Sequence, residues 1–305
     1  AEEMLAKAAK LDPQDSAKRT RLAQTHLAQG RSASAMEELG QIAAADSGIM
    51  ADLTLISAHI RKNEFDKALT AIDALEKKKP NDPLPLNLRG LALSAKKDIA
   101  GARKNFERAL AVNPAYFPAA SALAGLDLID KKPDQARQRF ESVLAADPKN
   151  TQAYLALADL KNKLGGTPDE VAALIAKAIA ADPAAANPRL ALIGLHLTKK
   201  DPKKAVAAAQ DALAALPDRP DILDAAGQAQ RADGNNNQAL VTYGKLATLQ
   251  PLSPIPHLHL AEIQLTLKDK AAAIASLRKA LELKHDFLDA QRGLIENRAQ
   301  QTTLQ

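Results

Sequence analysis

Apolar positions in this 305-residue chain recur at spacings of three and four over stretches of about 13 residues. A polar break follows each stretch, and then a second stretch of the same kind. Such spacing puts side chains on one face of a helix, whereas a strand would alternate at every second position. The pattern therefore predicts amphipathic helices in pairs. Prolines punctuate the pairs at Pro13, Pro80, Pro114, Pro148, Pro183, Pro217 and Pro251, and from Pro80 onward the gaps are 34, 34, 35, 34 and 34 residues. Ser47 and His285 take the same slot where no proline occurs. A period kept along the whole chain indicates a repeat array.

Eight full units begin at Ser16, Ile49, Pro83, Phe117, Thr151, Ala186, Pro220 and Pro254 and fill 16–287. Residues 1–15 read as the second helix of a truncated unit, and 288–305 as the first helix of a further unit with a polar tail. Both ends fall mid-array, so the chain is expected to be a segment of a longer protein, with Leu5, Leu294 and Ile295 exposed for want of polar caps. Position 20 of the unit is Ala35, Ala68, Ala102, Ala136, Ala205, Ala239 and Ala273, small enough for two helices to approach closely. Position 8 is mostly small too (Ala23, Gly90, Ala124, Ala158, Gly227, Ala261), and position 24 is bulky (Leu39, Ile72, Phe106, Phe140, Ile175, Tyr243, Leu277).

The first helix stops at position 15, where Gly30, Asn63, Gly165 and Gly234 tolerate a left-handed backbone. Lys97, Lys131, Lys200 and Lys268 hold that slot elsewhere, a less comfortable choice. The second helix starts beside polar residues such as Asp98, Asp201 and Asp269 and ends at the unit's proline. The fifth unit carries one extra residue in Gly165–Glu170, where Thr167 with Glu170 fits a capping box and Pro168 the first helical position.

This register resembles the tetratricopeptide (TPR) repeat. The resemblance implies an all-α, right-handed α-solenoid of stacked helix-turn-helix repeats, roughly 18 helices in all. It also implies that first helices line a concave groove through positions 2, 5, 9 and 12. Those positions supply Met50, Leu53, Ile60, Leu84, Leu91, Leu128, Leu190 and Leu197, with Ser57, Asn87, Ser121, Gly125 and Gly194 between them. Later units turn polar, with Asp159, Asn162, Asp221, Asp224, Gln228, Arg231 and Glu262. A protein or peptide segment with an apolar and a polar part would fit such a groove. The competing reading is that these side chains pack against the neighbouring first helix. Capture of a chaperone C-terminus is not expected, because Thr20, Gln24 and Thr54 replace the Lys and Asn residues used by family members that do so.

Net charge is +5, too small an excess at this length to argue for nucleic acid. Its placement matters more: Arg31, Lys62, Lys96, Lys97, Lys131, Lys132, Lys199, Lys200, Lys203, Lys204, Lys268 and Lys270 lie at the first-to-second helix turns. This basic edge would suit an anionic polysaccharide or a lipid surface, although the helix dipole alone favours cations there. The opposite edge collects Asp12, Asp15, Asp46, Asp82, Asp147, Asp182, Asp218 and Asp286.

No cysteine is present, so disulfide and thiol chemistry are excluded here, and no apolar run is long enough for a transmembrane helix. Glycine-rich phosphate loops, zinc-binding His-Glu helices and serine elbows are absent as motifs. His26, His59 and His196 share position 11 and read as partly buried packing residues. Neither catalysis, metal nor cofactor is expected.

From His59 to Ile295 the likeness is closer. Ile60-Arg61-Lys62-Asn63-Glu64-Phe65-Asp66-Lys67-Ala68, Pro83-Leu84-Pro85-Leu86-Asn87-Leu88-Arg89-Gly90, Asn113-Pro114-Ala115-Tyr116-Phe117-Pro118-Ala119-Ala120 and Asp286-Phe287-Leu288-Asp289-Ala290-Gln291-Arg292 resemble the bacterial TPR-repeat lipoproteins of PEP-CTERM protein-sorting and exopolysaccharide loci. That resemblance implies a periplasm-facing envelope lipoprotein acting as a scaffold for export or sorting. The rival expectation is a regulatory TPR region cut from a larger enzyme, such as a glycosyltransferase.

Overall fold

The computed structural model describes residues 15–302 together with Glu3, Met4, Lys7 and Asp12, with 297–302 as backbone only. The helix expected over 1–15, including Leu5 and Pro13, falls largely outside the described residues. Among the described residues there are seventeen helices and no strand, and the chain divides into two compact units, Ala1–Pro148 and Lys149–Gln305.

The first unit holds α1 (Ser16–Ala28), α2 (Ser32–Ala45), α3 (Met50–Arg61), α4 (Phe65–Lys78), α5 (Pro83–Ala95), α6 (Ile99–Val112), α7 (Phe117–Ile129) and α8 (Pro133–Ala146). The second holds α9 (Thr151–Lys163), α10 (Pro168–Ala181), α11 (Ala186–Thr198), α12 (Pro202–Ala215), α13 (Pro220–Ala232), α14 (Asn236–Leu249), α15 (Ile255–Thr266), α16 (Lys270–Leu283) and α17 (Leu288–Thr302). Within each unit every helix packs on the next in sequence, and α1 touches α3 as α11 touches α13. Hairpins thus stack in single file, the arrangement of an α-solenoid.

Local chemistry sets the ends of these helices. Asp82 and Asn150 cap α5 and α9 by accepting from Leu84 and Ala153 amides, and Asp98, Asp201 and Asp269 cap α6, α12 and α16. Thr167 and Glu170 form the reciprocal capping box at α10 behind Pro168. Every residue in the position-15 slot is left-handed: Gly30, Gly165 and Gly234 at φ 77–82°, and Asn63, Lys97, Lys131, Lys200 and Lys268 at φ 58–69°. The four lysines carry a Cβ where the backbone favours none.

Packing follows a size rule between positions 8 and 24. A Cβ on Gly227 would lie 2.5 Å from the buried Tyr243 ring, and one on Gly90 would overlap the Phe106 ring. Smaller partners allow alanine, as with Ala23 and Leu39 or Ala261 and Leu277, all buried. At the far end Leu294 packs on the cluster of Ala261, Leu277 and Ala290, so it is not the exposed residue that the open-ended register predicts, whereas Ile295 is exposed.

Position 11 carries a second rule. Asp127, 1% exposed, accepts from Arg103 Nη1 at 2.6 Å and from Arg139 Nε at 3.1 Å. Twelve residues separate Asp127 from Arg139, and the same spacing joins Gln230 to Thr242 and Gln264 to Ser276, both at 2.8 Å. Of the histidines at this slot, His196 is buried and its pKa is lowered by that burial, while His59 Nδ1 lies 2.7 Å from Glu64 Oε2.

Candidate functional site

Where two first helices lie side by side, a trough opens between them and is closed by residues of the second helix that joins them. In the first unit it has a volume of about 570 Å³ and lies between α1 and α3. Gln24, Leu27 and Ala28 form one wall, and Leu53, Thr54, Ser57, Ala58, Arg61 and Lys62 the other, with Ser32 at the end. Gln24 Nε2 donates to Thr54 Oγ1 at 2.9 Å across the trough, and Thr54 Oγ1 donates to the Met50 carbonyl at 2.8 Å. Two polar groups are therefore already satisfied by each other, leaving Ser57, Arg61 and Lys62 facing the opening.

In the second unit a trough of about 320 Å³ lies between α9 and α11. It is lined by Leu155, Ala158, Asp159, Asn162, Val171, Ile175, Ala191, Gly194, Leu195, Thr198 and Lys199. Asp159 is tied to Lys163 at 2.7 Å. A Cβ added at Gly194 would meet nothing within 4 Å, so this glycine is open space on the trough floor. The two troughs share slots: Thr54, Ser57, Ala58, Arg61 and Lys62 stand where Ala191, Gly194, Leu195, Thr198 and Lys199 stand in the later repeat.

The residues expected to line the groove divide into three groups. Met50, Ser57, Leu91, Gly125, Leu128 and Gln228 are exposed. Leu53, Ile60, Leu84, Ser121, Leu190, Gly194, Leu197, Asp224 and Arg231 are half-buried, with Leu53 and Ile60 packed against the Ile56 cluster and Leu190 and Leu197 against the Ile193 cluster. Asn87 differs from its expected place: it is 6% exposed, and its Oδ1 has no hydrogen-bond partner. The polar group of the second unit forms a network on α13 and α15. Arg231 Nη1 donates to Glu262 Oε2 at 2.6 Å, His259 Nδ1 lies 3.4 Å from the same oxygen, and Gln228 donates to Asp224 Oδ2 at 2.9 Å. The bonds from His259 and Arg231 hold the Glu262 carboxyl below its ordinary pKa.

The groove reading leaves out Thr54, Ala58, Arg61 and Lys62, and likewise Ala191, Leu195, Thr198 and Lys199, although the charge pattern places Lys62 and Lys199 on the basic edge. These are positions 6, 10, 13 and 14, which flank positions 5, 9 and 12 on a helix of 3.6 residues per turn. A wider stripe would have captured them. The basic edge is partly neutralised by its own surroundings: Lys96 pairs with Asp66 at 2.7 Å, Lys204 with Asp169 at 3.0 Å and Lys132 with Asp130 at 4.0 Å. No helix among the described residues is long and apolar enough to cross a membrane.

A family profile described as tetratricopeptide repeat matches residues 53–117, 131–186 and 225–286, more than half of the sequence. No curated protein matches. Among solved structures, the C-terminal part of a TPR repeat-containing protein from Cytophaga hutchinsonii is similar at 18% identity and a TM-score of 0.54, over 78% of this chain and 98% of that one. Yeast Tom70 is similar at 16% identity and a TM-score of 0.49, over 99% of this chain and 85% of that one. A MamA fragment from Desulfovibrio magneticus is similar at 16% identity and a TM-score of 0.45, over 57% and 97%. The Cytophaga structure shares the fold of stacked helix pairs.

Proposed function

Because the chain belongs to the tetratricopeptide repeat family, whose repeats serve as protein-binding scaffolds, we propose that it is a non-catalytic scaffold holding a partner polypeptide segment against its first helices. The observation that carries this reading is the recurrence of a solvent-open trough at the same slots in both units, floored by aliphatic and small side chains. A segment entering such a trough buries its own aliphatic groups against Leu27 and Leu53, or against Leu155 and Leu195. The exposed Met50, Leu91 and Leu128 extend the apolar area of the first unit.

In its finer form the proposal places the scaffold in the bacterial envelope, facing the periplasm as part of a lipoprotein, with a protein-sorting or exopolysaccharide-export component as partner. Support for that comes from the segments around Ile60, Pro83, Asn113 and Asp286 that resemble the PEP-CTERM lipoproteins.

Capture from an envelope extract, comparing the wild type with a Gly194→Leu, Leu91→Asp, Leu128→Asp variant, tests both levels. Loss of a captured partner with helicity retained supports the scaffold reading. Equal capture by both proteins contradicts it. A partner that depends on the trough but takes no part in sorting or export contradicts only the envelope assignment.

A further inference from the structure

We propose that the trough between α1 and α3 selects an acidic peptide segment, one that sets a carboxylate side chain beside an aliphatic one. This deepens the scaffold reading and rests on it. Arg61 and Lys62 are the only charged groups in the lining, and no carboxylate shares it. Arg61 is exposed and makes no ion pair among the described residues; Lys62 reaches only Ser32 Oγ at 3.2 Å and Met36 Sδ at 3.9 Å. Glu64, beside Lys62, lies within electrostatic reach of it, but its carboxylate bonds to His59 at 2.7 Å and Lys67 at 3.3 Å.

The helix dipole accounts for cations at this turn but not for the absence of a carboxylate from the trough they line. Elsewhere along the basic edge Asp66 pairs with Lys96 and Asp169 with Lys204. Two cations at a partly apolar wall that holds no carboxylate raise the local concentration of anionic groups. Leu27 and Leu53 then receive the aliphatic neighbour, and the Ser57 hydroxyl is free for the peptide backbone. In the second unit Thr198 replaces Arg61 and Asp159 replaces Gln24, so the trough there has one cation, Lys199, together with a carboxylate.

The test is a selection of short random peptides displayed on phage against the whole chain, repeated with an Arg61→Glu, Lys62→Glu variant. Both residues are exposed, and circular dichroism checks that the reversal leaves helicity intact. The expected result is enrichment of Asp and Glu next to Leu, Ile or Val. A synthetic copy of a selected peptide should bind the reversed variant about tenfold more weakly or worse, lose affinity with added salt, and bind Gly194→Leu unchanged. Arg61→Gln with Lys62→Gln should fall between.

Enrichment of neutral or basic peptides whose binding is lost in Ser57→Trp overturns the acidic preference while leaving the scaffold reading intact. Acidic peptides that bind the reversed variant equally well place their site elsewhere and overturn the proposal. Alginate that binds through Arg61 and Lys62 where no acidic peptide does makes this a polysaccharide site, and again overturns it. If no selected peptide responds to Ser57→Trp or Gly194→Leu, the scaffold reading fails as well.

Discussion

The troughs of the two units occupy the same slots of the same repeat, yet one is lined by two cations with no carboxylate, and the other by one cation and a carboxylate over a floor with fewer hydroxyls. Arg61 becomes Thr198, Ser57 becomes Gly194 and Thr54 becomes Ala191, while the helices around them keep their lengths to within one residue. Outward slots are therefore free to change chemistry because the stack is held by other positions. Slots 8, 20 and 24 fix how closely helices approach, and slots 6, 9 and 13 decide what the face can hold. The largest effects on stability should accordingly come from inward slots and the smallest from the troughs.

At slot 11, Asp127 of the first unit and Gln230 of the second differ in charge. Asp127→Ala leaves Arg103 and Arg139 without their buried partner, and urea unfolding should show a loss of about 3 kcal/mol. Gln230→Ala in the second unit breaks a neutral bond to Thr242 and should cost about 1 kcal/mol. Equal losses would erase the distinction between a charged and a neutral buried partner at this slot.

Glycines sharpen it further. Gly227→Ala forces a Cβ into the Tyr243 ring and should cost about 2 kcal/mol. Gly194→Ala enters open space in a helix and should stabilise by about 1 kcal/mol. The opposite signs, read from thermal unfolding, separate a packing glycine from a trough glycine. A smaller gain is expected at the left-handed slot, where Lys131→Gly should add about 0.5–1 kcal/mol, since Gly30 and Gly234 already occupy that conformation elsewhere.

Acid should act on the second unit. Burial lowers the pKa of His196 and of His257 below 6.5, so their neutral forms are favoured in the folded state. That contribution is present above about pH 6.5 and is lost as pH falls through the folded pKa. Lowering the pH from about 7.5 to about 5.5 should reduce the urea midpoint, and His196→Leu should reduce it less. An unchanged pH response in His196→Leu would remove this histidine from the account.

The helical pairing, the capping box at Thr167 and the left-handed lysines were all legible in the sequence because each depends on near neighbours. Size matching of Gly90 with Phe106 and of Gly227 with Tyr243 was visible as two columns, although only the structure shows that ring and backbone meet. Burial of Asn87 was not legible: position 5 faces solvent or a neighbouring helix according to how that neighbour packs. In the sequence Lys62 reads as a member of a basic edge, and Arg61 has no assigned role. Their place in a trough depends on the side-by-side packing of α1 and α3, which pattern alone does not give.

Photo-crosslinking tests the central claim most directly. Benzoylphenylalanine placed at Ser57 or Gly194 on first helices, and at Thr70 or Val241 on exposed sites of second helices, would report which face a bound peptide touches. The account predicts adducts from positions 57 and 194 and none from 70 and 241; adducts confined to 70 and 241 would contradict it.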